Sequence, residues 1–229
     1  MTIFRYALLR GLRSPLSLVI NCFVPILIMF LRPFWTGGGV SGLGLLAFVT
    51  MGGAFLMSMS ILTDKTEGTI IRILAAPITM RRYLVENLLS AMMPLFVQVL
   101  LISILGYVLH DWSTTLTLAV FLCYTMLTLS SVAMAFAWHC LFKNKESSAG
   151  GFGMVLTLAA MLGGAMVPVE ILPGILEYAG AIFPVYWMMR GINAVIAYDA
   201  LTQAFWLGIL AMALFTTAYL LFGGRRRLT

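Results

Sequence analysis

The sequence Thr63–Arg82, TDKTEGTIIRILAAPITMRR, is the longest polar interruption in a chain that is 62% hydrophobic. It contains six charged side chains, each of which would cost several kcal/mol in the core of a lipid bilayer. Apolar runs long enough to cross a membrane flank the stretch on both sides. The stretch therefore lies at a membrane surface and connects two spans.

Within this stretch, the residue pattern predicts a short amphipathic helix. Apolar residues at positions i, i+1 and i+4 from Ile70 form one stripe of such a helix. The acidic pair in Asp64–Glu67 resembles a capping arrangement at a helix start. Pro77 would end the helix, and Thr79 can cap the next one.

Composition indicates the class of protein. The 229 residues have a mean hydropathy of +1.03 and only 10% are charged, whereas a soluble domain carries about 25% charged residues. We therefore expect an all-α integral membrane protein. The net charge of +6 does not indicate nucleic-acid binding, because the basic residues lie in short clusters between apolar spans. Cys22, Cys123 and Cys140 lack metal-ligand spacing and are expected to be free thiols, so no metal site is predicted.

The chain reads as one membrane domain over residues 1–229. Arginines among apolar residues predict an interfacial amphipathic helix at residues 1–15. Six spans are expected, at about residues 16–35, 43–62, 84–109, 115–138, 148–167 and 202–222. Residues 168–199 contain two apolar stretches that are each too short to cross, which predicts an external re-entrant helical hairpin before the last span.

The basic residues predict the topology. Of the 14 lysines and arginines, twelve fall on the side of the N-terminus, and two, Arg32 and Arg190, fall on the other side. The positive-inside rule then places both termini, and the stretch Thr63–Arg82, in the cytoplasm. An even number of spans agrees with this arrangement.

The predicted fifth span carries small residues at steps of three or four. They are Gly153, Thr157, Ala160 and Gly164. Such a stripe allows two helices to approach closely in lipid. It could serve packing within the chain or contact with a second chain, and the pattern does not decide between the two.

Several chemical motifs are absent from the sequence. It contains no GxxxxGK[ST] loop, so this chain is not expected to bind ATP. It has neither a GxSxG nor an HExxH motif. No charged residue lies near the middle of a predicted span, where an ion-coupled carrier usually needs one. We therefore expect a protein that is not an enzyme and receives its energy through the cytoplasmic stretch.

Two segments make the chain similar to the permease subunits of the ABC-2 type, a class of ATP-driven exporters. The first is Glu67-Gly68-Thr69-x-x-Arg72-x-Leu74-x-x-Pro77-x-Thr79, which resembles the family's cytoplasmic signature after the second span. The second is Gly163-Gly164-Ala165-Met166-Val167-Pro168-x-x-x-Leu172-Pro173, followed by Pro184 and Arg190, which resembles the external re-entrant helices. A basic residue common early in the third span of relatives is replaced here by Glu86 or Asn87.

The resemblance implies that two permease chains, identical or different, form the translocation path in the plasma membrane of a prokaryote. Each chain would present a coupling helix within residues 64–82 to a separate cytoplasmic ATPase subunit, which would bind ATP and Mg; this chain would bind no cofactor. The implied ATPase-coupling residues are Glu67, Gly68, Thr69, Arg72, Leu74 and Pro77. The implied residues of the re-entrant hairpin are Pro168, Glu170, Pro173, Glu177, Pro184 and Arg190.

No polar constellation in the spans indicates the substrate. The apolar lining and the lack of a large external domain favour efflux of a drug, a lipid-like molecule or another hydrophobic compound, as in multidrug export. A permease for a polysaccharide or another polymer is an alternative. A self-sufficient ion-coupled carrier or channel, and a membrane scaffold or immunity protein without transport activity, are the other hypotheses.

Overall fold

The computed structural model describes residues 2–31, 33–36, 42–69, 79–168 and 173–225. All regular structure within these ranges is helical, as expected for an all-α protein. The α-helices are α1 (Thr2–Arg13), α2 (Pro15–Leu18), α3 (Val24–Phe30), α4 (Pro33–Thr36), α5 (Gly42–Thr66), α6 (Met80–Leu109), α7 (Thr114–Leu141), α8 (Lys145–Leu162), α9 (Gly174–Gly180), α10 (Pro184–Tyr198) and α11 (Gln203–Arg225). A π-helical turn, Val19–Phe23, joins α2 to α3, so that Pro15–Phe30 forms one rod.

An elbow at Ser14 separates α1 from this rod, and the two directions differ by 81°. Pro15 explains the elbow, because proline has no N–H to continue the hydrogen bonds of α1. The residue before a proline is also driven toward extended backbone, and Ser14 has φ −74° and ψ 113°. As a result, α1 lies across one end of the bundle and packs on α6 and α5.

Four helices are long and apolar enough to cross a membrane: α5, Arg82–Leu109 of α6, α7 and Gln203–Gly224 of α11. A fifth crossing is obtained if α1 and the rod count together despite their bend. The expected count of six spans is therefore not confirmed among the described residues. The difference arises at α8, which has 18 residues, begins with the charged pair Lys145 and Glu146, and ends at Leu162 rather than at Val167. The chain turns there because Gly164 adopts φ +81°, which a helix cannot contain.

Helix α7 is the central helix of the bundle. It packs against α5, α6, α10 and α11, and the side chains of Cys123, Tyr124 and Leu127 are completely buried. The Tyr124 hydroxyl donates a hydrogen bond to the carbonyl of Leu43 on α5. Close packing and hydrogen bonds of this kind hold helices together where lipid removes the hydrophobic driving force between them.

The two ends of the bundle differ in chemistry. At one end, Trp35 packs against His110 and Trp112, with ring centroids 4.4 and 5.7 Å apart. The opposite end, which we call the α1 end, is formed by α1, the last turns of α5 and α7, and the first turns of α6 and α8. The α1 end carries the three ion pairs described below. Charged groups thus gather at the end where α1 lies.

The segment expected to form a hairpin contains two short helices, α9 and α10, joined by three residues. Their 7 and 15 residues are fewer than the ~20 needed to cross a bilayer. Helix α10 buries one face, including Val185, Met188 and Ile192, against the bundle. Most of α9 is exposed, and Tyr178 has 81% of its surface accessible.

Candidate functional site

The described ends of the stretch Thr63–Arg82 adjoin two long helices. Residues up to Thr66 form the last turn of α5, and those from Met80 onward form the first turn of α6. The interpretation of Asp64–Glu67 as a helix start is wrong, because the pair marks a helix end. Gly68 has φ +68°, the conformation that commonly terminates a helix, and its N–H donates to the Lys65 carbonyl at 3.3 Å.

Some of the other predicted residues of this stretch belong to the described chain, and others do not. Thr79 caps α6 as expected, since its hydroxyl accepts a hydrogen bond from the Arg82 N–H at 3.4 Å. Among the candidate coupling residues, Glu67, Gly68 and Thr69 belong to the described chain. The other three candidate coupling residues, Arg72, Leu74 and Pro77, lie outside the described residues. Glu170 of the predicted hairpin also lies outside them.

Asp64 is the centre of a buried polar junction at the α1 end. The residue is only 2% exposed. Its two carboxylate oxygens accept hydrogen bonds from Nη1 and Nη2 of Arg10, at 2.7 and 3.2 Å. The Tyr83 hydroxyl donates a third bond, at 2.7 Å. One carboxylate therefore connects α5, α1 and α6, and all its strong interactions are charge-assisted.

The electrostatics of this junction are asymmetric. The Arg10 side chain is 47% exposed, whereas that of Asp64 is 3% exposed. The hydrogen bond to Asp64 raises the pKa of the Arg10 guanidinium above its usual value, against the opposing effect of burial. Arg10 therefore stays charged, and the buried carboxylate depends on it for compensation.

Glu86 fixes the beginning of α1 to α6. Its Oε2 accepts a hydrogen bond from the backbone N–H of Phe4 at 3.0 Å, and its Oε1 accepts one from Arg82 Nε at 2.9 Å. The first N–H groups of a helix have no partner within the helix, and a negative charge is favourable there. Glu86 thus has a local structural role at the start of α1.

Two lysines connect the same region to α7 and α8. Lys65 Nζ donates to the carbonyls of Cys140 and Phe142 at 3.1 and 3.3 Å, which caps the end of α7. Lys145, at the start of α8, pairs with Glu67 at 3.3 Å, and both side chains are well exposed. The last turn of α5 and Glu67, which follows it, are therefore attached to four helices, α1, α6, α7 and α8.

A cavity of about 260 Å³ lies between α1 and the segment, next to Arg10, Asp64 and Thr69. Within the described ranges, no group of three or more His, Cys, Asp or Glu could hold a metal ion. We call the set formed by Arg10, Asp64, Lys65, Tyr83 and Glu86 the junction.

The remaining candidate residues are more dispersed. In the hairpin segment, the Tyr186 hydroxyl is within 3.4 Å of Glu177 Oε1 and 3.5 Å of Arg190 Nη1, so it links α9 to α10. Pro184 occupies the first turn of α10, and Pro173 precedes α9. Pro168 is exposed after the end of α8.

The four small residues of the predicted close-approach face differ in exposure. Gly153 and Thr157 are exposed on α8, Ala160 is buried in the core, and Gly164 lies beyond the helix end.

The junction itself was missed from sequence. Arg10 and Asp64 are 54 positions apart, and no local pattern joins them. One signal was available: an acidic residue in the last turn of a long apolar helix needs a basic partner if it is buried. That rule indicates a partner but does not identify which arginine it is.

The family model described as "ABC-2 family transporter protein" matches residues 17–225, which is nearly the whole chain. No curated protein matches the chain.

Proposed function

Because this chain belongs to the ABC-2 family of transporter proteins, it is a multi-pass membrane component of a transporter, and we propose that it is the permease subunit of an ATP-driven exporter. Two such chains, identical or different, form the translocation path. ATP and Mg are bound by separate ATPase subunits, since this sequence has no P-loop. The chain itself carries out no reaction.

The observation that carries this proposal is the position of the junction. It lies where the segment 67–79 leaves α5 and enters α6. Asp64 and Lys65 connect the end of α5 to α1, α6 and α7, and Glu67, the first residue of the segment, pairs with Lys145 of α8. A segment that served only as a connection would need no such attachment. A force applied to it would reach four helices at once.

In the proposed mechanism, the coupling helix within residues 64–82 inserts its apolar stripe into a groove on the ATPase, as amphipathic helices commonly do. Closure of the ATPases on ATP displaces the helix. Asp64 then passes the displacement to α1 and α6 through Arg10 and Tyr83, and Lys65 passes it to the end of α7. The bundle shifts between inward-facing and outward-facing states.

The distribution of charge supports the cytoplasmic location of this segment. In the proposed topology, 12 of the 14 basic residues lie on the cytoplasmic side. The membrane we propose is the plasma membrane of a prokaryote. The α9–α10 region, with Glu177 and Arg190, then forms the external re-entrant hairpin. Gly153 and Thr157, exposed on α8, are the part of the small-residue face that remains accessible to a second chain.

A hydrophobic cargo, such as a drug or a lipid-like molecule, is the substrate class we propose. In the described structure, Gln98 Nε2 donates a hydrogen bond to Thr50 Oγ1 at 3.0 Å between the middle parts of α5 and α6. The buried residues next to this pair along the two helices, Met51, Leu95 and Val99, are apolar. Export of a polymer remains the alternative.

Charge reversal tests the proposal. In the double variant Glu67→Lys with Arg72→Glu, co-purification with the ATPase should fall at least tenfold, while the amount of chain in the membrane stays unchanged. Glu146→Lys is the matched control, because Glu146 is also exposed at the α1 end but lies outside the segment 67–79. Substrate flux by the purified chain alone in vesicles, without ATP or a partner, would overturn the proposal.

A further inference from the structure

An open groove of about 600 Å³ lies at the elbow between α1 and the rod. It is lined by Tyr6, Leu9, Arg10, Arg13 and Ser14. It shares Tyr6 and Arg10 with the smaller cavity next to Asp64, but it opens at the elbow itself. Neither the junction nor the proposed transport mechanism gives it a role.

The groove carries an uncompensated positive charge. Helix α1 contains three arginines and no acidic residue. Arg10 is paired with Asp64, whereas no ion pair is described for Arg13 in the part of the chain that the structure covers. Arg13 is exposed, so its full charge is available to an anion.

Apolar surface surrounds this charge. Tyr6 is 73% exposed and Leu9 is also exposed. On the rod just past the elbow, Leu16 and Leu18 are exposed as well. Because the rod turns away from α1 by 81°, α1 lies along the membrane surface when the rod enters the bilayer.

An occupant must therefore offer a negative charge at the level of Arg13 and apolar chains along the start of the rod. An anionic phospholipid has this combination, because its phosphate sits above its acyl chains. A nucleotide or a soluble acidic peptide would leave the leucines exposed. We propose that the elbow groove binds the headgroup of an anionic phospholipid, with Arg13 as its principal contact, Arg10 and the Tyr6 hydroxyl beside it, and Leu9 and Leu16 against the acyl chains.

The test uses the full chain purified in detergent, with native mass spectrometry to count retained lipid. Phosphatidylglycerol should be retained in preference to phosphatidylcholine. Arg13→Gln should weaken phosphatidylglycerol retention about fivefold, as expected for the loss of one basic side chain near an anionic lipid. Arg5→Gln is the matched control, since Arg5 is exposed on the same helix but does not line the groove, and it should change retention less than twofold.

Equal losses in the two variants would overturn the proposal, because they would indicate diffuse attraction without a site. The absence of any preference for phosphatidylglycerol would also overturn it. A photo-reactive side chain at position 9 provides a second measurement in cell membranes. Adducts to phospholipid support the proposal, and adducts to a protein in place of lipid would show that this surface docks a protein. None of these results depends on which compound the transporter exports, so they are independent of the proposed function.

Discussion

Removal of either partner of the Arg10–Asp64 pair should destabilise the protein, and the two losses should be unequal. Breaking a buried ion pair by removing one partner typically costs about 3–5 kcal/mol, because the remaining charge is left without compensation. The structure states which charge is more deeply buried: the Asp64 side chain is 3% exposed, and that of Arg10 is 47% exposed.

Arg10→Gln leaves the carboxylate buried with Tyr83 as its remaining strong donor, so the expected loss is about 3–4 kcal/mol. Asp64→Asn leaves a guanidinium that stays half in water, and the loss is correspondingly smaller, about 2 kcal/mol after discounting for solvent screening. For a chain of this length, a loss of 2 kcal/mol corresponds to a decrease in Tm of about 4–8 °C.

The assay is thermal unfolding of the detergent-purified chain, followed by circular dichroism or by the fraction that remains monodisperse. Arg5→Gln is the control, because Arg5 is exposed on the same helix and should change stability by no more than about 0.5 kcal/mol. The double variant should lose less than the sum of the two single losses, with a coupling of about 1–2 kcal/mol. The reasoning is refuted if Asp64→Asn is the more damaging change, or if the two losses add within about 0.5 kcal/mol.

Three further changes test separate parts of the account. Gly68→Ala should destabilise the protein by about 1–2 kcal/mol in thermal unfolding, because Gly68 has φ +68° and alanine is strained there. An added Cβ would meet no atom within 4 Å, so a larger loss would indicate a contact that the structure does not show. Lys145→Gln removes an exposed ion pair with Glu67 and should change the free energy of unfolding by less than about 1 kcal/mol. A larger loss would show that this pair stabilises the fold. Gln98→Leu combined with Thr50→Val should change the free energy of unfolding by no more than about 1 kcal/mol, because both partners of a buried hydrogen bond are replaced. In addition, Gln98 Oε1 has no partner in the described structure. Loss of transport at unchanged stability would instead place this pair in the translocation path.

The sequence predicted the long helices well, for a physical reason. Apolar runs such as those in α5, α6 and α7 can satisfy their backbone groups in lipid only as helices. The cap at Thr79 followed from its side-chain chemistry alone. Both inferences needed only local information.

Other features depended on information that the local pattern does not carry. The spacing of Asp64 and Glu67 fits a helix start and the acidic last turn of a helix equally well, and only the φ of Gly68 distinguishes them. Six spans are not confirmed among the described residues, because α8 ends at Leu162. The glycines at 163 and 164 are compatible with a small-residue helix face as well as with a turn. The contacts between helices in the junction join residues 19 to 82 positions apart, so it could not be assembled before the helices were placed.

The central claim is that a separate ATPase drives this chain through the segment after α5. Thr69 is the described residue closest to the middle of that segment, and a photo-cross-linker placed there tests the claim most directly in cell membranes. We expect an adduct to a P-loop ATPase, and the yield of this adduct should change when ATP is added. An adduct to lipid alone, or labelling of position 69 by a reagent confined to the outside of the cell, would contradict it.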